Sequence, residues 1–136
     1  FEAHYMYRKK LASFAEQFAP AKVKFRCGVE TFDTALREAW KKGILSSVSV
    51  QDIAQHFQGI CLLCCTQGET KEHILKDIEL AKAHFEYFSV NVFCDNHTPI
   101  KQDKELASWF AKVVYPMIKD DPRIEVLMEN TDLGVG

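Results

Sequence analysis

Residues 59–70 read GICLLCCTQGET: an apolar run, then a polar turn around Gly68, then the start of a long amphipathic stretch. A run that is apolar on both faces suits a parallel strand covered on both sides. Thr66, Gln67, Gly68 and Glu69 would then stand just past its C-terminal end, where open α/β sheets and α/β barrels bind their ligands. The same order of strand, loop and helix recurs on either side.

Upstream, residues 21–29 alternate, with Val23, Phe25, Cys27 and Val29 on one face. This predicts a strand that ends at Glu30 and Thr31, followed by a helix over 32–43 closed by Gly43. Before it, Tyr7, Leu11, Phe14 and Phe18 predict a helix within the first 20 residues, stopped at Pro20. Ser49 with Asp52 has capping-box spacing, and Val48 with Ile53 staple spacing, so a helix should run from about Val50 to Phe57. Downstream, Ile74, Ile78, Ala81 and Phe85 form one helical stripe. Residues 87–93 and 124–128 read as the third and fourth strands. Between them a long helix should start near Asp103, turn Leu106, Phe110, Val113 and Met117 inward, and kink or end at Pro116. Strand starts near positions 23, 60, 88 and 124 leave room for right-handed helical crossovers. The fold class is α/β, one domain over residues 1–136, with a parallel four-stranded sheet and flanking helices. The chain opens on Phe-Glu-Ala-His, which reads as the start of an excised or trimmed piece.

Composition narrows the function classes. The net charge of −2 supplies no basic footprint for nucleic acid or for a membrane surface. No apolar run approaches the roughly 20 residues that a spanning helix needs. Five cysteines, mostly inside apolar runs, suit reduced thiols and a cytoplasmic location. Cys61, Cys64 and Cys65 look like a metal motif, but alternation on a strand sends Cys64 to the face opposite Cys61 and Cys65. Cys94 and His97 supply half a site at most, and no nucleophile stands beside His97 and Asp95. No catalytic residue and no metal ligand is therefore assigned.

Two motifs carry a resemblance. CGVETFD, residues 27–33, resembles the fourth strand and loop of radical S-adenosylmethionine (SAM) enzymes, where Gly-Val/Ile-Glu-Ser/Thr is common. CTQGET, residues 65–70, resembles the Gly-x-Pro-Gly-Glu-Thr turn after the fifth strand, with Cys65 in place of Gly and Gln67 in place of Pro. VNVF, residues 90–93, is similar to the sixth strand, so the resemblance covers about residues 21–130. It implies the later strands of a (β/α)6 partial TIM barrel. The family binds SAM and a 4Fe–4S cluster, the cluster through Cys-x3-Cys-x2-Cys, and cleaves SAM to a 5′-deoxyadenosyl radical. That cysteine spacing is absent here, so the chain is expected to be inactive alone.

The resemblance brings Glu30 and Thr31 near SAM and runs the backbone of Cys65, Thr66 and Gln67 along its adenine, with Gly68 allowing the turn. For Glu30 the competing reading is a carboxylate near the positive end of the next helix. Glu69 is read as structural and Thr70 as an N-cap. Asn91 is a candidate polar contact to the ligand. Thr131, Asp132 and Gly134 would face the site of a complete barrel. Trp40 and Trp109 are read as packing groups. The substrate would be a small molecule of unknown identity. Open sheet edges predict self-association into a homo-oligomer, and a free-standing binding or assembly module is the alternative to an enzyme.

Overall fold

The computed structural model describes residues 1–129; the C-terminal loop candidates Thr131, Asp132 and Gly134 lie outside them. Four parallel strands form one sheet in the order β1 (Arg26–Glu30), β2 (Gly59–Cys64), β3 (Tyr87–Val92) and β4 (Ile124–Leu127). The helices are α1 (Leu11–Glu16), α2 (Thr34–Ala39), α3 (Val50–Ala54), α4 (Lys71–His84), α5 (Lys104–Trp109) and α6 (Tyr115–Ile118). Sheet order follows chain order, as successive crossovers of one hand dictate in a barrel wall.

The two faces of the sheet differ. Cys27, Val29, Ile60, Leu62, Cys64, Phe88, Val90 and Val92 share one face with the inward residues of the helices in a single hydrophobic core. The stripe predicted for α4 lies there, with Ile74, Ile78, Ala81 and Phe85 all buried. The other face carries the row Gly28, Cys61, Ser89 and Glu125, which are in register across the sheet. Below it Arg26 pairs with Glu2 at 3.2 Å and with Glu125 at 3.7 Å. Central β2 is buried on both sides, but only one side is packed into the apolar core; Cys61 is buried outside it.

Three expectations are corrected. Residues 1–3 are not helical. Glu2 bridges Arg26 in parallel, with Arg26 N donating to Phe1 O and Ala3 N to Arg26 O, both at 2.9 Å. One sheet edge is thus partly paired. The helix that follows begins as a 3₁₀ segment, Tyr5–Lys10, before α1. Its tighter winding rotates the face, so Leu11 is buried while Tyr7, Phe14 and Phe18 stay partly exposed. Phe14 packs edge-on and Phe18 tilted against Phe1, and Phe14 tilted against Phe25, at centroid distances of 5.2–6.0 Å. In the last long helix, a π turn over Phe110–Val114 separates α5 from α6. It adds a residue to the repeat, so Val114 and Ile118 point inward and Val113 and Met117 outward. Pro116 does not end the helical run, because α6 starts around it and its missing N–H falls in a first turn.

Other local signals act as read. Ser49 and Asp52 form a reciprocal capping box. Thr70 caps α4 by accepting from His73 N at 3.2 Å. α2 is capped by Asp33, which accepts from Leu36 N at 2.9 Å. It ends at Ala39, earlier than Gly43.

Candidate functional site at the strand ends

The C-terminal ends of β1, β2 and β3 bring the candidate residues to one rim of the sheet. Glu30 ends β1 in a left-handed conformation, φ 69°, and meets Lys42 Nζ at 2.8 Å. Thr31 is wholly buried; its hydroxyl donates to Asp77 Oδ2 at 2.7 Å and accepts from Asp33 N at 3.0 Å. The Asp77 carboxylate also takes Phe32 N at 3.0 Å. The hydroxyl of Thr31 is therefore committed inward.

After β2, Cys65 is left-handed as well, φ 68°. This breaks the strand alternation, and its thiol comes to 3.6 Å from that of Cys64. The prediction that Cys64 and Cys65 point apart is corrected: alternation holds only while the backbone is extended. Thr66 is buried and gives both its N–H (2.7 Å) and its hydroxyl (2.9 Å) to Glu69 Oε2. Gln67 N donates to Lys101 O at 2.8 Å, and Cys65 O accepts from Asp103 N at 2.8 Å. The turn is thereby braced against residues 101–103. Gly68 has φ 94°, with nothing within 4 Å of where a side chain would start. Glycine alone adopts that conformation without strain.

On β3, Asn91 stands in register between Leu63 and Leu127 on the polar face. Its Oδ1 is buried and has no hydrogen-bond partner among the described residues. Asp95 Oδ1 accepts from Gln102 N at 2.8 Å, which ties the β3 loop to the same 101–103 segment.

Burial governs the electrostatics. It pushes the Glu69 carboxyl up to about 7 against the lowering effect of the Thr66 bonds, and Oε1 of Glu69 is left without a partner. Asp77 is raised by burial too, despite Thr31 and Phe32. Cys27 is pushed up to about 12 and Cys61 to about 11, again by burial. The contact with Cys65, then burial, holds the Cys64 thiol well above its usual range. All five thiols are free.

Sequence reasoning missed Asp77 and Arg37. Asp77 lies on the inward stripe of α4 between Ile74 and Ala81, and a carboxylate on an apolar stripe is the signal that could have found it. Arg37 is buried in α2 and donates to Leu45 O (3.0 Å) and Val48 O (3.2 Å), shaping the loop after α2. Trp109 packs partly against the core and receives Lys71 Nζ 5.6 Å from its ring. Among the described residues, no helix is long and apolar enough to cross a membrane.

Compared with known proteins, the chain matches no family model and no curated protein. It does match a solved structure, a queuine lyase from Clostridium spiroforme bound to SAM and queuine. The TM-score is 0.88 at 34% sequence identity, over 99% of this chain. That neighbour is a radical SAM enzyme. This is the fold of part of a radical SAM barrel. The chain spans 58% of the neighbour's length.

Within that radical SAM frame the residues fit one cofactor and not the other. For SAM the rim offers an unpartnered buried amide oxygen on Asn91 and an open turn at Gly68. For a 4Fe–4S cluster the fit fails. The cysteine spacing is absent from the sequence, and among the described residues no three of His, Cys, Asp and Glu cluster to hold a metal.

Proposed function

We propose that this chain forms the later-strand side of a SAM site in a radical SAM enzyme that acts on a queuine-like base. The observation that carries this is the likeness, over almost the whole chain, to a lyase solved with SAM and queuine. Of the residues expected at the SAM site, the proposed contacts are Glu30 at the end of β1, the Gln67 and Gly68 turn, and the Asn91 amide. Thr31, Cys65 and Thr66 have no exposed surface and shape the rim rather than touch the ligand. Asn91 supplies a polar contact on the barrel's inner face. The cluster is proposed to be held by residues other than these. Buried free thiols support a reducing, cytoplasmic setting.

The test uses the protein as its cell makes it, isolated without oxygen. Calorimetry with SAM should show one saturable site. Reduction in the presence of SAM and queuine should release 5′-deoxyadenosine faster than with SAM alone. Absence of SAM binding in protein that holds iron and sulfide would overturn the proposal. SAM binding with no response to queuine would overturn the substrate class alone.

A further inference from the structure

β1 and β2 end in the same way. At each end a non-glycine residue is left-handed, Glu30 at φ 69° and Cys65 at φ 68°. Each is followed by a threonine with no exposed surface, Thr31 and Thr66. Each threonine gives its hydroxyl to a buried carboxylate: Thr31 to Asp77 at 2.7 Å, Thr66 to Glu69 at 2.9 Å. The same two carboxylates take an adjacent backbone N–H, Phe32 N at 3.0 Å and Thr66 N at 2.7 Å. Both belong to one unit, since Asp77 is on α4 and Glu69 is in the turn that leads into it.

A left-handed backbone is unfavourable for a residue with a side chain. A buried carboxylate is unfavourable unless hydrogen-bonded. Apolar groups at 69 and 77 would leave the Thr31 and Thr66 hydroxyls and the Phe32 and Thr66 amides without these partners. The two costs meet only at the rim, on adjacent strands, where the chain turns out of the sheet. The charge-assisted bonds are strong enough to hold such turns.

We infer that Glu69 and Asp77 are positioning residues: the α4 unit clamps both strand ends and so fixes Glu30 and the exposed Gln67–Gly68 turn in the orientation that a rim-bound ligand meets. Naming that ligand as SAM rests on the function proposed above; the clamp itself does not.

The experiment pairs amide hydrogen exchange by NMR with SAM titration, on the protein as its cell makes it. Glu69→Ala should speed exchange at the Thr66 amide at least about tenfold, as loss of a bond to a charged group implies, and leave the Phe32 amide unchanged. Asp77→Ala should do the reverse. Glu69→Gln should restore the Thr66 amide, because its amide oxygen can take both Thr66 bonds and its NH₂ then stands where Oε1 has no partner. The dissociation constant for SAM should rise about tenfold in Glu69→Ala and return in Glu69→Gln, the same loss read in binding. Unchanged exchange at Thr66 in Glu69→Ala would overturn the clamp. Faster exchange with undiminished SAM affinity would overturn the positioning role. Should Glu69→Ala not fold, Thr66→Val decides through affinity, because it removes the hydroxyl bond and keeps the N–H bond: undiminished SAM affinity there would also overturn the positioning role. If the wild-type protein binds no SAM while the exchange pattern holds, the proposed function falls and the clamp stands.

Discussion

The ring of Tyr87 lies against Gly59. A Cβ on Gly59 would sit 2.5 Å from two ring carbons, and the two residues are register partners on neighbouring strands. Gly59 is therefore set by a close approach rather than by a turn. Gly59→Ala should destabilise the fold by about 1–3 kcal/mol, the usual cost of overpacking. In a Tyr87→Ala background the same change should cost less than about 0.5 kcal/mol, because the ring is gone. Urea unfolding of the four proteins measures both; an undiminished cost in the second background would exclude the ring as its cause.

The π turn sets a second expectation. Ile118 is buried and Met117 is 67% exposed, the opposite of what a regular helix through Leu106 and Phe110 implies. Ile118→Ala should cost about 2–5 kcal/mol, and Met117→Ala within about 0.5 kcal/mol. A larger loss at Met117 than at Ile118 would mean that the helix runs without the extra residue.

That helix shows where the sequence is legible and where it is not. Patterns that repeat over short range read through correctly: the α4 stripe, the Ser49–Asp52 box, the Thr70 cap and the starts of the last three strands, whereas β1 starts at Arg26, three residues later than expected. What fails depends on distant contacts. Phe14 and Phe18 have helical spacing, but they pack against Phe1 and each other at the margin of the core, which Phe14 meets through Phe25. Thr31 and Asp77 are 46 residues apart, so no local window pairs them. At the rim, the turn at Gly68 is written in the sequence. The left-handed turns at Glu30 and Cys65 are not, because those residue types ordinarily avoid that conformation.

Glu69 predicts a pH dependence of stability. Its carboxyl is raised from an ordinary value to about 7 in the folded state, chiefly by burial. The folded protein then binds more protons than the unfolded chain between those two values, so stability falls as pH rises through that window. The penalty is absent below about pH 4 and complete above about pH 7. It amounts to about 3 kcal/mol, since each tenfold change in proton affinity is worth about 1.4 kcal/mol. Glu69→Gln cannot ionise, so its stability between about pH 5 and 8 should be flatter than the wild type's. Parallel pH profiles for the two proteins would show that Glu69 ionises freely.

The thiols make a sharper division. Cys27, Cys61, Cys64 and Cys65 are buried and Cys94 is not. Burial also keeps Cys27 and Cys61 protonated at neutral pH, and the thiolate is the reactive form. Native protein should titrate one fast thiol with a disulfide reagent and all five after unfolding. Cys94→Ser should abolish the fast phase. A second fast thiol that persists would mean that the strand-end turn at Cys65 opens.

Asn91 ties stability to binding. Its Oδ1 is buried without a partner between Leu63 and Leu127. An unsatisfied buried acceptor costs about 1–3 kcal/mol, and an apolar residue between two leucines would remove that cost. Asn91→Leu should therefore raise the stability of the ligand-free protein by about 1–2 kcal/mol. If Asn91 is held for a ligand, as proposed, the same variant should bind SAM at least about tenfold more weakly, because the contact that completes the acceptor is lost. The opposite signs matter, since a residue kept only for packing would not trade one property against the other. Thermal unfolding with and without SAM reads both. A variant that is less stable and binds SAM normally would show that Oδ1 is satisfied by solvent, and would remove Asn91 from the site.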